Sequence, residues 1–302
     1  MGDPAPVTIR HDRATPLRYP GGKGKLTPYI RRIIQANGLD GLYAEPYAGG
    51  AGIAMSLLLA GDVERIAIND LSQSIYAFWQ SVLADTEALC RLIRDTPRTV
   101  EAWDRQKIIY RANDTTDALA LGFALFFLNR TNRSGILNGG IIGGRDQTGQ
   151  WKIDARYNTD DLIRRVQAIG KTSQRITLTN LDAITFLDVI KSQSPARSLI
   201  YLDPPYYVKG KELYYHFYDH EDHEKVADAV AKLGPCKWIV SYDNVRQIRD
   251  IYHGYQRTLY SIGYSARTAR QGSEAMFFSD DLIVPPICGP VTVIEENSAK
   301  AA

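Results

Sequence analysis

The segment Leu199-Ile200-Tyr201-Leu202-Asp203-Pro204-Pro205-Tyr206 constrains this chain more than any other. Four apolar residues in a row read as a short buried strand. An acid, two prolines and a tyrosine follow at once. In an open α/β sheet, ligands bind just beyond the carboxyl ends of the strands. Each proline fixes φ and removes a donor, so the turn holds its carbonyls rigidly. The strand tip therefore offers a carboxylate, a fixed carbonyl and an aromatic face. That set suits a planar amine: Asp203 and the Pro204 carbonyl can accept its two hydrogens, and Tyr206 can stack on the ring. D-P-P alone would read as a strand-ending turn, but D-P-P-Y behind a buried strand does not.

Other short apolar runs predict companion strands: Leu42–Ala44, Arg65–Ile68, Arg175–Leu178 and Lys237–Val240. Leu259–Tyr264 and Ala275–Phe278 read as a closing antiparallel pair. Helical patterns lie between them, at Leu26–Ile34 with Pro28 in the first turn, at Ile53–Leu59, and at Val226–Leu233 behind an acidic start. Strands alternating with helices predict an α/β sheet covered on both faces. The alternation breaks between residues 72 and 172. This stretch is helical at first, then glycine-rich and basic. An inserted domain at 72–172, within a parent domain formed by 1–71 and 173–302, is the economical reading. The tail from Pro285 reads as peripheral, with Glu295–Ala302 frayed.

A second motif, Glu45-Pro46-Tyr47-Ala48-Gly49-Gly50-Ala51-Gly52, links an apolar strand to an apolar helix. Glycines there permit a tight turn and close approach of a ligand. Glu45 would repel a phosphate but suits a cationic ligand, such as a methyl sulfonium donor. Asp70 ends the next strand 21 residues after Gly49, where an acid binds ribose hydroxyls or caps the following helix. Asp182 has the same two readings, and could hold an adenine amine of the donor. Earlier, Arg18-Tyr19-Pro20-Gly21-Gly22-Lys23 superficially suggests a nucleotide loop, but G-x-x-x-x-G-K-[ST] is absent. A cap over a small ligand, with Lys23 near its carboxylate, competes with a basic surface loop.

Net charge is only +2, so nucleic-acid binding over the whole surface is excluded. The charge is focused instead: residues 130–175 hold nine Lys/Arg against four Asp, a local excess of +5. Three widely spaced cysteines, Cys90, Cys236 and Cys288, predict neither a disulfide framework nor a metal site and favour a reducing cytoplasm. His216, His220, His223 and His253 show no metal spacing and read as surface or helix-start residues. The N-terminus lacks the apolar core of a signal peptide. The longest apolar run, Ala118–Leu128, is too short for a bilayer and predicts a buried helix.

Taken in order, Pro20–Lys23, Glu45–Gly52, Asp70 and Asp203–Tyr206 resemble the Dam-like, D12-class family of DNA adenine N6-methyltransferases. Leu128-Asn129-Arg130, followed by Asn138-Gly139, looks like the family's L-N-R signature. The resemblance covers residues 17 to 280. It implies a Rossmann-like sheet dependent on S-adenosylmethionine, with a mostly helical target-recognition domain inserted at 72–172. It implies cofactor contacts from Tyr19, Gly22, Lys23, Glu45, Tyr47, Gly49, Asp70 and Asp182, and catalysis by Asp203, Pro204, Pro205 and Tyr206, with no metal. It implies double-stranded DNA as partner, and is compatible with a companion restriction endonuclease. The aromatic residue usual after L-N-R is missing, so a GATC target is not implied.

Adenine in a duplex hides its amine, so such an enzyme must flip the base out. Tyr206 and Tyr207 are the stacking candidates. Asn129, Arg130, Asn132, Arg133 and Asn138 offer forks for base edges. Two Gly-Gly pairs around Ile141-Ile142 predict a hairpin, with Gln147–Trp151 as tip or return strand. Arg267 and Arg270 lie in a loop that could touch phosphates. Methylation of cytosine N4 or of RNA adenine, and a decayed non-catalytic DNA-binding module, are the alternatives. Intact Asp203–Tyr206 and Glu45–Gly52 motifs count against decay.

Overall fold

The computed structural model describes residues 14–18, 23–193, 196–208, 218–262, 273–287 and 291–297. Tyr19, Gly22, His216, Arg267, Arg270 and Cys288 lie outside the described residues.

Eight strands form one sheet: β1 (Leu42–Glu45), β2 (Arg65–Asn69), β3 (Ile176–Thr179), β4 (Ser198–Leu202), β5 (Lys237–Asp243), β6 (Arg257–Ile262), β7 (Ser273–Phe278) and β8 (Val291–Asn297). Their order is β3-β2-β1-β4-β5-β7-β6-β8. The first five are parallel, and β7 runs antiparallel to β5 and β6. The chain first builds outward from β1 through β2 to β3. It then returns to the middle, laying β4 on the other side of β1. The crevice between β1 and β4 is thus the topological switch point, where an open α/β sheet binds ligands.

Successive side chains of a strand face opposite sides, and the core divides accordingly. Tyr43, Ile66, Ile68, Leu199 and Tyr201 face one layer. Leu42, Ala44, Ala67, Ile200 and Leu202 face the other, with Phe186, Val226 and Val230. The first layer is closed in part by helices of the segment 72–172. After α1 (Thr27–Asn37) and α2 (Gly52–Ala60), these are α3 (Gln73–Ala84), α4 (Thr86–Asp95), α5 (Val100–Ala112), α6 (Ala118–Thr131) and α7 (Thr159–Gly170). Phe78, Trp79, Phe126 and Leu162 from them join the same core as the strand residues. The run Ala118–Leu128 is the buried helix α6, as its apolar character predicts. No helix among the described residues is long and apolar enough to cross a membrane.

Two expectations are corrected. The tail is not frayed through Asn297: it adds β8 to the open side of β6, with a register shift at Leu259/Tyr260. Edge strands bury little, so Val291–Asn297 carries a weak hydrophobic signal. The hairpin expected around Ile141-Ile142 reduces to an isolated bridge between Asn132 and Ile141. Both isoleucines are buried, and Gln147 holds the loop instead. Its Nε2 donates to the carbonyls of Ile142 (2.8 Å) and Gly144 (2.5 Å), and its Oε1 accepts from the Ile153 amide (2.9 Å).

Helices α3 and α6 touch backbone to backbone at Gly122. A Cβ there would lie 2.6 Å from the Ala77 carbonyl oxygen and 2.7 Å from the Phe78 Cα. Alanine gains about 1 kcal/mol of helix propensity over glycine, but forced overpacking costs about 1–3 kcal/mol, and backbone cannot move aside. Gly122→Ala is therefore expected to lower the thermal unfolding midpoint by several degrees. A midpoint equal to or above that of the parent would show that the helices have room.

Candidate active site

β4 ends at Leu202 and delivers Asp203 to the crevice beside β1, whose last residue is Glu45. Lys23 enters the same space from the short 3₁₀ turn Lys23–Leu26. Its Nζ donates to Glu274 Oε2 (2.6 Å) and to the Tyr206 hydroxyl (2.5 Å), and lies 3.5 Å from Asp203 Oδ1. Glu274, on β7, also accepts from the hydroxyls of Tyr206 (2.9 Å) and Tyr260 (2.9 Å). Ser241 on β5 donates to Asp203 Oδ1 (3.0 Å). The Lys23 and Glu274 side chains are 4% and 3% exposed, whereas Asp203 is 27% exposed. Of the three charges, only the Asp203 carboxylate is within reach of a substrate.

Electrostatics follow from this packing. Burial alone would push the Lys23 ammonium down, but Asp203, Tyr260 and Glu274 outweigh it and hold the group charged. Burial raises the Asp203 carboxyl above its ordinary range, Lys23 opposes the rise, and Glu274 adds to it. Glu45 is pushed to about 8, mainly by burial. Hydrogen bonds from the Tyr43 hydroxyl and the Ala54 amide, each 3.1 Å, offset only part of that cost.

The glycine turn stands next to it. Gly49 and Ala51 take left-handed backbone, with φ of 45° and 44°, ahead of helix α2 (Gly52–Ala60). The Gly49 amide donates to Asp70 Oδ2 (2.8 Å), and Asp70 Oδ1 accepts from the Ser72 amide (2.9 Å). Asp70 thus braces the turn and closes a local bond to Ser72 just ahead of α3, and burial lifts its carboxyl to about 6. Asn69 ties the neighbouring loops together. Its Nδ2 donates to the carbonyls of Pro46 and Leu181 (both 3.0 Å), and its Oδ1 accepts from the Leu181 amide (2.9 Å) and the Thr179 hydroxyl (2.8 Å). Asp182, exposed next to Leu181, accepts from the Ile184 amide (2.9 Å) at the start of α8 (Ala183–Gln193). The Tyr47 hydroxyl meets that of Tyr218 at 3.1 Å.

Several residues do something other than expected. Lys23 has its donors taken by protein groups, so it serves the Asp203 pocket rather than a ligand carboxylate. Asn129 and Asn132 are buried, and their amides are spent inside the loop. Asn129 accepts from the Arg18 amide (2.7 Å) and donates to the carbonyls of Arg18 (2.6 Å) and Gly135 (3.1 Å). Asn132 accepts from Trp103 Nε1 (2.6 Å) and donates to the carbonyls of Ile136 and Leu137. Neither amide has an edge left for a base. Arg130 is half-buried, with its Nε unpartnered among the described residues. Burial, Arg18 and Arg165 pull it down to about 9. Arg133 and Asn138 are exposed, as a reader of bases must be. His223 is buried rather than superficial, with Nδ1 3.1 Å from the Tyr242 hydroxyl. Glu274, Ser241 and Asn69 were not singled out from sequence. Glu274 precedes the apolar run Ala275–Phe278 in β7, and an acid at the head of such a run is the available signal. No metal-holding cluster occurs among the described residues.

The strand order, with a glycine turn after β1 and an acid-proline tip on β4, defines a Rossmann-like methyltransferase sheet. The family model for D12 class N6 adenine-specific DNA methyltransferases matches residues 19–264, and the chain belongs to that family. It is a methyltransferase whose cofactor is S-adenosylmethionine. No curated protein matches. Among solved structures, the chain is similar to a SAM dependent methyltransferase from Agrobacterium tumefaciens, at 10% identity and a TM-score of 0.39. That match covers 85% of this chain and 62% of the other, so the chain spans under two thirds of that protein. It is also similar to the rRNA methyltransferase aviRa from Streptomyces viridochromogenes, at 11% identity and a TM-score of 0.36, covering 90% of each. At such scores the family match alone makes the assignment.

The Lys23–Glu274 pair is testable by a double-mutant cycle. Removing one partner of a buried pair costs about 3–5 kcal/mol. Glu274→Ala and Lys23→Met are each expected to destabilise on that scale in urea unfolding, Glu274→Ala toward the low end because Asp203 stays near Lys23. The double variant is expected to lose at least about 1 kcal/mol less than the sum. Additive losses would contradict the coupling.

Proposed function

We propose that this enzyme methylates N6 of adenine in double-stranded DNA after flipping the base, with residues 72–172 recognising the target. The observation carrying this reading is the partly open Asp203 carboxylate, backed by Lys23 and Ser241, one strand away from the buried Glu45. A flipped adenine presents an NH₂ group, and the tip of β4 presents acceptors. Asp203 Oδ accepts one amine hydrogen and the Pro204 carbonyl accepts the other. Two acceptors out of the ring plane draw the nitrogen toward tetrahedral geometry and free its lone pair. Pro205 keeps the turn stiff. Tyr206, tethered through its hydroxyl to Lys23 and Glu274, offers its ring as a stacking surface.

The donor side fits the cofactor's chemistry. Glu45 supplies the buried carboxylate that a cationic group would satisfy. Gly49 and Tyr47 form the turn around it, and Asp70 and Asp182 keep oxygen lone pairs for hydroxyl and amine groups. S-adenosylmethionine, when bound, supplies an electrophilic methyl group on a cationic sulfur. The protein's part is to hold the two reactants in line and exclude water.

Asp203→Ala is expected to lower methyl transfer to duplex DNA by about 10²–10³-fold, while cofactor affinity changes by no more than a few-fold. Incorporation of labelled methyl, with nucleoside mass spectrometry of the product, checks this. Full activity in the variant, or a product other than N6-methyladenine in DNA, would refute the reading.

Cofactor affinity should depend on pH. Glu45 is protonated below about 8 in the free enzyme, and a cation favours its ionised form. Binding then releases a proton, so affinity is expected to rise as pH increases toward 8. Calorimetry across pH 6–9 tests it. Glu45→Gln should flatten the profile, and an equally steep profile in that variant would remove Glu45 from the donor site.

A further inference from the structure

A groove of about 490 Å³ opens on the insert, away from the residues that line the Asp203 pocket. Its floor is Trp103, and its walls carry Lys107 and Arg111 on one side and Arg133 and Arg145 on the other. Asp104 is the single acid among the described lining residues. Trp103, Lys107 and Arg111 recur every four residues on α5, which lines them along one face of the helix at about 6 Å per step. The opposite wall belongs to the loop that follows α6.

Two cross-ties hold these walls together. Arg145 grips Asp104 through both guanidinium nitrogens, at 2.8 Å each, which pins the loop to α5 and neutralises the one acid. Trp103 Nε1 donates to Asn132 Oδ1, which anchors the floor to the end of α6. The Arg133 amide donates to the Gly140 carbonyl (3.0 Å), closing the loop on itself. Lys107 lies 4.3 Å above the Trp103 ring centroid. The groove therefore exists before any ligand arrives, and its described lining sets Lys107, Arg111, Arg133 and Arg145 against the one acid Asp104. Burial and Arg111 push the Lys107 ammonium down, Asp104 opposes them in part, and Arg145 adds to the shift.

We infer that this groove seats the phosphate backbone of the DNA duplex, with Lys107 and Arg111 as phosphate contacts that carry affinity but no sequence preference. This rests on the reading of duplex DNA as substrate. Trp103 is only 5% exposed, so the floor offers no face for stacking a base. What remains accessible is point charge and guanidinium forks, which suit phosphate oxygens. An acidic peptide would meet the same charges, but the groove lies in the insert of a DNA methyltransferase family member.

The test is a salt titration of full-length protein binding a fluorescent duplex, followed by anisotropy. Each phosphate contact contributes about one unit to the slope of log K against log salt. Lys107→Ala and Arg111→Ala are each expected to weaken binding to every duplex sequence and to reduce the slope by about 1, and the double variant by about 2. Lys107→Arg should retain the parent slope. Lys191→Ala, exposed on α8, should also leave it unchanged. Cofactor affinity, measured alongside, shows that each variant is folded. Unchanged slopes in alanine variants of a protein that still methylates the duplex would overturn the groove alone. A parent protein that neither binds nor methylates duplex DNA would overturn the substrate reading and the groove with it.

Discussion

The buried ammonium of Lys23 is the constraint around which the candidate active site is organised. An ammonium at 4% exposure is tolerable only among anions. Glu274 from β7 and Asp203 from β4 provide them, with Tyr206 completing the shell. The antiparallel end of the sheet is thereby joined to the tip of its central strand. Glu274 also fixes Tyr206 and Tyr260 by their hydroxyls. One carboxylate thus sets both the charge behind Asp203 and the position of the aromatic ring beside it. Glu274 and Tyr260 sit on strands, and through them the turn residues Lys23 and Tyr206 are fixed to the sheet.

The leading segment that carries Lys23 is held in turn by α6. Asn129, in the last turn of α6, exchanges hydrogen bonds with both the amide and the carbonyl of Arg18. The L-N-R run therefore works as a structural bracket between the helices of 72–172 and the catalytic pocket. Helices α3, α6 and α7 also share a core with the sheet. On the donor side, Asn69 and Asp70 perform the matching task, clamping the loops after β1 and β3 to the end of β2. Both clusters thus sit at the carboxyl ends of the central parallel strands, on either side of β1.

The central strands were legible in sequence because parallel strands buried on both faces read as short unbroken apolar runs. Asp203–Tyr206 and Glu45–Gly52 were legible because each combines a strand end with residues that restrict or free the backbone. Glu274 was not, since its partners come together only through the order β4-β5-β7. Strand β8 was hidden because an exposed edge strand lacks the apolar signal. The polar run after α6 misled in the other direction. Asparagines and glycines suit both a base-reading loop and a tightly self-bonded one, and burial of Asn129, Asn132, Ile141 and Ile142 chose the second.

The proposed chemistry turns on which atoms hold the target amine. A structure of the protein with a duplex and an unreactive cofactor analogue measures this directly. It should find an extruded adenine with N6 within hydrogen-bond distance of Asp203 Oδ and the Pro204 carbonyl, and the analogue's cationic group against Glu45. An adenine left stacked in the duplex, or seated with N6 turned away from Asp203, would contradict it.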